Sequence, residues 1–203
     1  MNEIETNKVY LQGLVCSEPE FNHSVKDEEF FSFALKVARL SGQYDTIPVI
    51  ISKKLLEANE IKKDSDIALR GQFRSFNKLE GEKRKLLLSV FVKEICGADE
   101  NSNSNTIELD GYICKPVIYR TTPFSREICD ILLAVNRNFN KSDYIPCIAW
   151  GNNAQVISKY PVPTKLKILG RIQSREYVKY VGEQQEPITK VAYEVSVSKI
   201  LTE

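Results

Sequence analysis

The chain of 203 residues repeats itself. With Leu11-Gln12-Gly13 set over Leu109-Asp110-Gly111, an offset of 98 holds for roughly forty residues. It superposes Cys16 on Cys114, Leu35 on Leu133, Val37 on Val135 and Arg39 on Arg137. Further on, Asp45-Thr46-Ile47-Pro48 falls on Asp143-Tyr144-Ile145-Pro146. After one inserted residue, Ile67-Ala68-Leu69-Arg70-Gly71 matches Leu166-Lys167-Ile168-Leu169-Gly170, and Ser75 matches Ser174. Lys85, Val90, Val92 and Ile95 then meet Lys190, Val195, Val197 and Ile200. A unit of this length is too long for a solenoid repeat, so the chain reads as two domains of one fold, residues 1–96 and 106–203. The segment 97–105, GADENSNSN, has no large apolar group and reads as a linker.

Both copies show the same order of elements. Val9 to Val15 and Ile107 to Ile113 read as opening strands, with Gly13 and Gly111 where a strand would bend. Phe31 to Ala38 and Ile128 to Asn136 follow as second strands, Ile47 to Ile51 and Ile145 to Trp150 as third strands. A short helix comes next, capped by Ser52 in the first copy and by Asn152 in the second. A strand ending at Gly71 or Gly170 and a hairpin back through Phe91 or Val195 complete each copy. The fold class is therefore all-β with one short helix per domain. Five strands with a helix between the third and fourth is the layout of an OB-fold, a five-stranded Greek-key barrel, present twice in tandem.

Composition narrows the function. Hydrophobic residues at 42% and charged residues at 27% are ordinary for a globular protein. No run approaches the roughly 18 apolar residues of a membrane span. The start MNEIETNK lacks a signal peptide's layout, so the expected location is cytoplasmic, with the nucleoid, and no membrane partner is expected. His23 is the only histidine, no CxxC pair occurs among the five cysteines, and no phosphate-binding glycine loop is present. No catalytic residue, metal ligand or cofactor is expected, and the cysteines read as small buried hydrophobes.

The second copy is distinguished by its rings. On Tyr144-Ile145-Pro146-Cys147-Ile148-Ala149-Trp150, alternation sends Ile145, Cys147 and Ala149 inward and Tyr144, Ile148 and Trp150 to the opposite face. Phe139 lies just beyond the preceding strand, and Tyr177 and Tyr180 lie on the last hairpin. Cations are interleaved: Arg137, Lys141, Lys165, Lys167, Arg171, Arg175 and Lys179. Rings among cations suit single-stranded nucleic acid, since each base offers a face to stack and each phosphate a charge to neutralise. The plainer alternative is that the rings pack a core or an interface and the cations face water.

At these residues the second copy resembles the bacterial single-stranded DNA-binding protein family across nearly all of Thr106 to Leu201. The segments that carry the resemblance are LLAVNR (132–137), YIPCIAWG (144–151) with Ala154, and LGRIQSREY (169–177). The resemblance implies base stacking at Phe139, Tyr144, Trp150 and Tyr177, binding without sequence preference, and assembly of four OB domains into one unit. It implies a homodimer for a two-domain chain. Three departures accompany it. The first copy has Ser41, Thr46 and Ser52 where the second has Phe139, Tyr144 and Trp150, and offers Phe76 as at most a partial substitute for Tyr177. The acidic tail by which the family recruits replication and recombination proteins is not seen after Leu201. Pro161-Val162-Pro163-Thr164 replaces a glycine-containing turn and removes a cation.

The net charge of +1 divides unevenly. Residues 1–100 hold 15 Lys+Arg and 17 Asp+Glu, residues 101–203 hold 13 and 10. The expectation is an architectural first domain and a single-stranded DNA-binding second domain, acting in replication, recombination or repair, from a chromosome, plasmid or phage. The competing reading is an OB-fold adaptor, primosome-like, whose domains chiefly bind protein. DNA rather than RNA is implied by the resemblance alone.

Overall fold

A computed structural model describes residues 5–81, 83–99, 103–138, 140–181 and 186–201. The first half forms β1 (Asn7–Val15), β2 (Glu20–Val25), β3 (Glu28–Ala38), β4 (Tyr44–Ser52), α1 (Lys53–Ala58), β5 (Asp66–Glu80) and β6 (Lys83–Cys96). The second half repeats the order as β7 (Asn105–Ile113), β8 (Ile118–Thr121), β9 (Glu127–Arg137), β10 (Lys141–Trp150), α2 (Gly151–Ile157), β11 (Lys165–Val181) and β12 (Glu186–Ile200). Alternating apolar residues generate the strands and fill both interiors. Leu11, Leu35, Ile47, Leu69, Phe73 and Val90 are fully buried, as are their counterparts Leu109, Leu133, Ile145, Ile168, Ile172 and Val195. The repeat is thus foremost a repeat of the core.

The OB layout holds, with five differences from expectation. β5 and β11 run past Gly71 and Gly170 to Glu80 and Val181 rather than ending at the glycines. Among the described residues each half has six strands rather than five, because β2 and β8 pair with the starts of β3 and β9 as exposed hairpins. Being exposed, they lack the buried alternation by which the other strands are read. The second helix has no Asn cap. Its N-cap is Trp150, without a side-chain hydrogen bond, whereas Ser52 Oγ does accept from the Leu55 N–H in α1. Ile148 is buried rather than exposed beside the rings, since it sits mid-strand between neighbours on β9 and β12. The segment read as a linker ends early, because Asn105 begins β7 and the Ser104 carbonyl already accepts from the Gln12 N–H at 2.8 Å.

Closure requires sharp bends in the long strands. Register shifts occur at Arg70/Gly71 and Leu169/Gly170, equivalent points of the two halves. A Cβ on Gly71 would lie 2.3 Å from the Phe91 carbonyl oxygen, and one on Gly170 would lie 2.4 Å from that of Ser196. Only glycine permits that approach of two backbones.

The two halves form one sheet. β1 and β7 pair antiparallel, with Val9 opposite Ile107, its own counterpart in the repeat. Asn7 faces Leu109 while Leu11 faces Asn105, so the junction is a pseudo-twofold passing through Val9 and Ile107. Beside it Asn7 acts as a substitute strand. Its side-chain NH2 donates to the Phe73 carbonyl (2.7 Å), and its Oδ1 accepts from the Phe73 N–H (2.9 Å). Asn105 does the same for Ile172, at the same two distances.

Two buried aspartates complete the junction. Asp45 Oδ1 accepts from the Ser174 N–H (2.7 Å) and hydroxyl (3.1 Å) of the other half, and Asp143 Oδ1 accepts from the Ser75 N–H (2.8 Å) and hydroxyl (3.4 Å). Their charge partners differ. Asp45 is held by the Nε and Nη2 donors of Arg39 (2.7 and 2.5 Å) and by Arg171 (3.3 Å). Asp143 faces Arg137 at 3.2 Å without a hydrogen-bonding alignment, leaving Oδ2 unsatisfied. Burial works to raise both carboxyls. At Asp45 it is outweighed by Arg39 and by the Ser174 N–H, which hold the group below its ordinary value. At Asp143 burial prevails and the value is raised.

Two predictions follow from these contacts. Gly170→Ala should destabilise the chain by about 1–3 kcal/mol in thermal or chemical unfolding, because backbone must shift to admit the methyl. Asp45→Asn should cost about 3 kcal/mol at neutral pH by leaving two guanidinium groups beside a neutral amide, and Asp143→Asn clearly less. The depressed Asp45 adds stability above its unfolded value that is lost as pH falls through its folded value, so the gap between the variants should shrink in acid. Denaturant titrations at two pH values check this.

Candidate nucleic-acid interface

The outward positions of β10 alternate with its core residues. Asp143, Ile145, Cys147 and Ala149 are buried, while Tyr144 and Trp150 are 43% and 38% exposed. Strand register extends that outer face across the barrel. Trp150 lies opposite Ile128, which lies opposite Arg120 on β8. Ile148 lies beside Ser196 on β12, and Ser196 lies opposite Arg171 on β11. Four and six residues beyond Arg171 along β11, on the same face, Arg175 and Tyr177 pair with Ala192 and Lys190. Tyr177 is 39% exposed. One continuous surface therefore presents Tyr144, Trp150 and Tyr177 among Arg171, Arg175, Lys190 and Arg120, the last paired with Asp130 at 2.8 Å.

Several cations named from the sequence are placed otherwise. Arg137 and Lys141 fall on the opposite side of their strands from Tyr144. Arg137 turns to Asp143 at the junction, and Lys141 is exposed at the start of β10, paired in register with Arg137. Arg171 lies on the outer face but also reaches Asp45, and its second donor meets Gln173 Oε1 at 3.0 Å. Lys167 is paired with Glu108 at 3.0 Å and Lys165 with Asp110 at 3.3 Å. Arg175 is exposed, with Glu194 3.9 Å away. Lys179 and Tyr180 continue β11 opposite Ile188 and Pro187, their side chains outside the described residues, and Phe139 lies outside them altogether.

Sequence reading missed the turn between β8 and β9. A hollow of about 600 Å³ lies against Trp150, lined by Thr121, Ser125, Arg126, Glu127 and Gly151. Ser125 adopts φ 57°, and the Thr122 N–H donates to the Arg126 carbonyl at 2.8 Å, closing the turn that brings Arg126 there. The TTPFSRE segment carries that turn chemistry, but nothing in it reveals which ring it will face. Among the cysteines, Cys129 and Cys147 are buried, and burial pushes both thiols up, away from nucleophilic use.

The face can be compared with known proteins. Residues 104–200 match the family model described as "Single-strand binding protein family". A single-stranded DNA-binding protein of Streptococcus pyogenes is 35% identical over 97 residues, 44% of this chain and 74% of that protein. The chain belongs to the single-strand binding protein family. Other relatives named as single-stranded DNA-binding proteins come from Streptococcus agalactiae (34% over 87 residues, 39% of this chain, 63% of that protein) and Enterococcus faecalis (33% over 97 residues, 44% of this chain, 51% of that protein). The family match thus rests on the half that bears Tyr144, Trp150 and Tyr177. The fold likeness extends further. The wild-type single-stranded DNA binding protein of Thermus aquaticus superposes with a TM-score of 0.70 over 96% of this chain and 91% of that one, at 18% identity. A deletion mutant of the same protein gives 0.71. At that identity the likeness shows the fold, in both halves.

Proposed function

We propose that the chain binds single-stranded DNA without sequence preference, with the outer face of β8–β12 as its platform. The observation that carries this reading is the placement of three exposed rings, Tyr144, Trp150 and Tyr177, on one sheet face among unburied cations. Such rings accept any base by stacking, and the arginines and lysines meet the phosphate backbone. Arg126 and the hollow beside Trp150 give room for a base or phosphate at one end of the track. Kinship with proteins named as single-stranded DNA-binding supports DNA as the ligand. The setting is replication, recombination or repair, where strands are held apart. Two chains would then bring together four barrels, as the family resemblance implies.

Oligo(dT) should quench Trp150 fluorescence, duplex DNA should compete poorly, and binding should weaken steadily with salt. Trp150→Ala combined with Tyr144→Ala should weaken binding at least about thirtyfold, with unchanged unfolding. No shift of a single-stranded oligonucleotide at low salt would instead favour the adaptor reading. Light scattering at micromolar concentration should give the mass of a dimer, and a monomer alone would remove the four-barrel assembly.

A further inference from the structure

In the first half, Thr46 and Lys78 stand where the second half has Tyr144 and Tyr177. Two residues before each, a ring appears. Tyr44 precedes Thr46 on β4 and is 56% exposed, and Phe76 precedes Lys78 on β5 and is 66% exposed. Strand periodicity makes a two-residue displacement neutral with respect to face. Tyr44 and Thr46 point outward while Asp45 and Ile47 are buried. Both rings therefore lie on the outer surface equivalent to the one that carries Tyr144, Trp150 and Tyr177.

That surface is also cationic. Lys36 Nζ lies 4.3 Å from the centre of the Tyr44 ring, and the Arg74 guanidinium lies 3.9 Å from that of Phe91. Register carries the face from Thr46 opposite Lys36, through Ile50 beside Phe91 and Phe91 opposite Gln72, to Phe76 opposite Leu87 and Lys78 opposite Lys85. The outward positions of β4 from Tyr44 to Ile50, of β5 from Gln72 to Lys78 and of β6 from Lys85 to Phe91 include no carboxylate. The acidic balance of the first half is located elsewhere, as in Asp27-Glu28-Glu29 at the β2–β3 turn.

We propose that the first half carries a second single-stranded DNA platform, built on Tyr44 and Phe76 with Lys36 and Lys78 facing the phosphates. Its rings occupy positions two residues removed from those of the second half. This rests on the DNA-binding reading above and replaces a purely architectural role for the first half.

The test titrates the full chain with an oligo(dT) of about 30 nucleotides, long enough to span two barrels. Tyr44→Ala with Phe76→Ala should weaken binding at least about tenfold and lower the nucleotides bound per chain. Unchanged affinity and stoichiometry, with Trp150→Ala still impaired, would overturn the second platform and leave the second-half reading standing. Failure of the unmodified chain to bind would overturn both. Ultraviolet cross-linking of the unmodified chain to oligo(dT) gives a check independent of any variant's stability. Peptides containing Tyr44 or Phe76 should be recovered, and cross-links confined to residues 106–201 would overturn the proposal.

Discussion

The antiparallel pairing of β1 with β7 is the constraint on which the rest of the molecule depends. It joins two barrels into one sheet, and it can do so only because the unsatisfied groups around it are met from across the junction or by local substitutes. Asn7 and Asn105 supply amide groups where a strand partner ends. Asp45 and Asp143 reach into the opposite half to fix Ser174 and Ser75. Buried polar groups are tolerated when every donor and acceptor is met, and three of the four carboxylate oxygens here are. The junction also positions the rings, for the Tyr144 N–H donates to Ser75 Oγ at 2.8 Å. The first half thereby helps hold the strand from which the second half presents its platform.

Much of this was legible in the sequence, and the reason is the repeat. Matching Leu35 with Leu133 and Ile47 with Ile145 identifies the two cores, because core positions tolerate only apolar exchange. The same alignment matched Arg39 with Arg137, Asp45 with Asp143 and Ser75 with Ser174, all polar. That retention was the available signal for a buried polar cluster, but the residues lie far apart along the chain, and only the fold brings Asp45 to Ser174. Arg137 was read as a phosphate contact for the same reason. Spacing along a strand cannot tell a cation that points to solvent from one that turns to a buried carboxylate.

The rings illustrate the opposite limit. Alternation correctly turned Tyr144 and Trp150 away from the core, but it also turned Ile148, which neighbours on both sides cover. Position-by-position comparison found Thr46 and Ser52 in place of rings and so read the first half as lacking a platform. A sheet face is a surface of period two, and a ring moved by one period remains on it. Tyr44 is visible as an outward ring only once the register of β3, β4 and β6 is known.

The unequal surroundings of Asp45 and Asp143 bear on how such a chain can change. In a symmetric dimer of identical subunits, any substitution at the dyad lands twice, and both copies must tolerate it. Here the equivalent of Arg171 in the first half is Gln72, so Asp45 meets a guanidinium in a place where Asp143 meets none, and the second cation near Asp143 is Arg74 instead. Joining the two barrels in one polypeptide makes each junction residue a single locus. The two sides of the dyad can therefore hold their carboxylates unequally, Asp45 by aligned hydrogen bonds from Arg39 and Asp143 without one from Arg137.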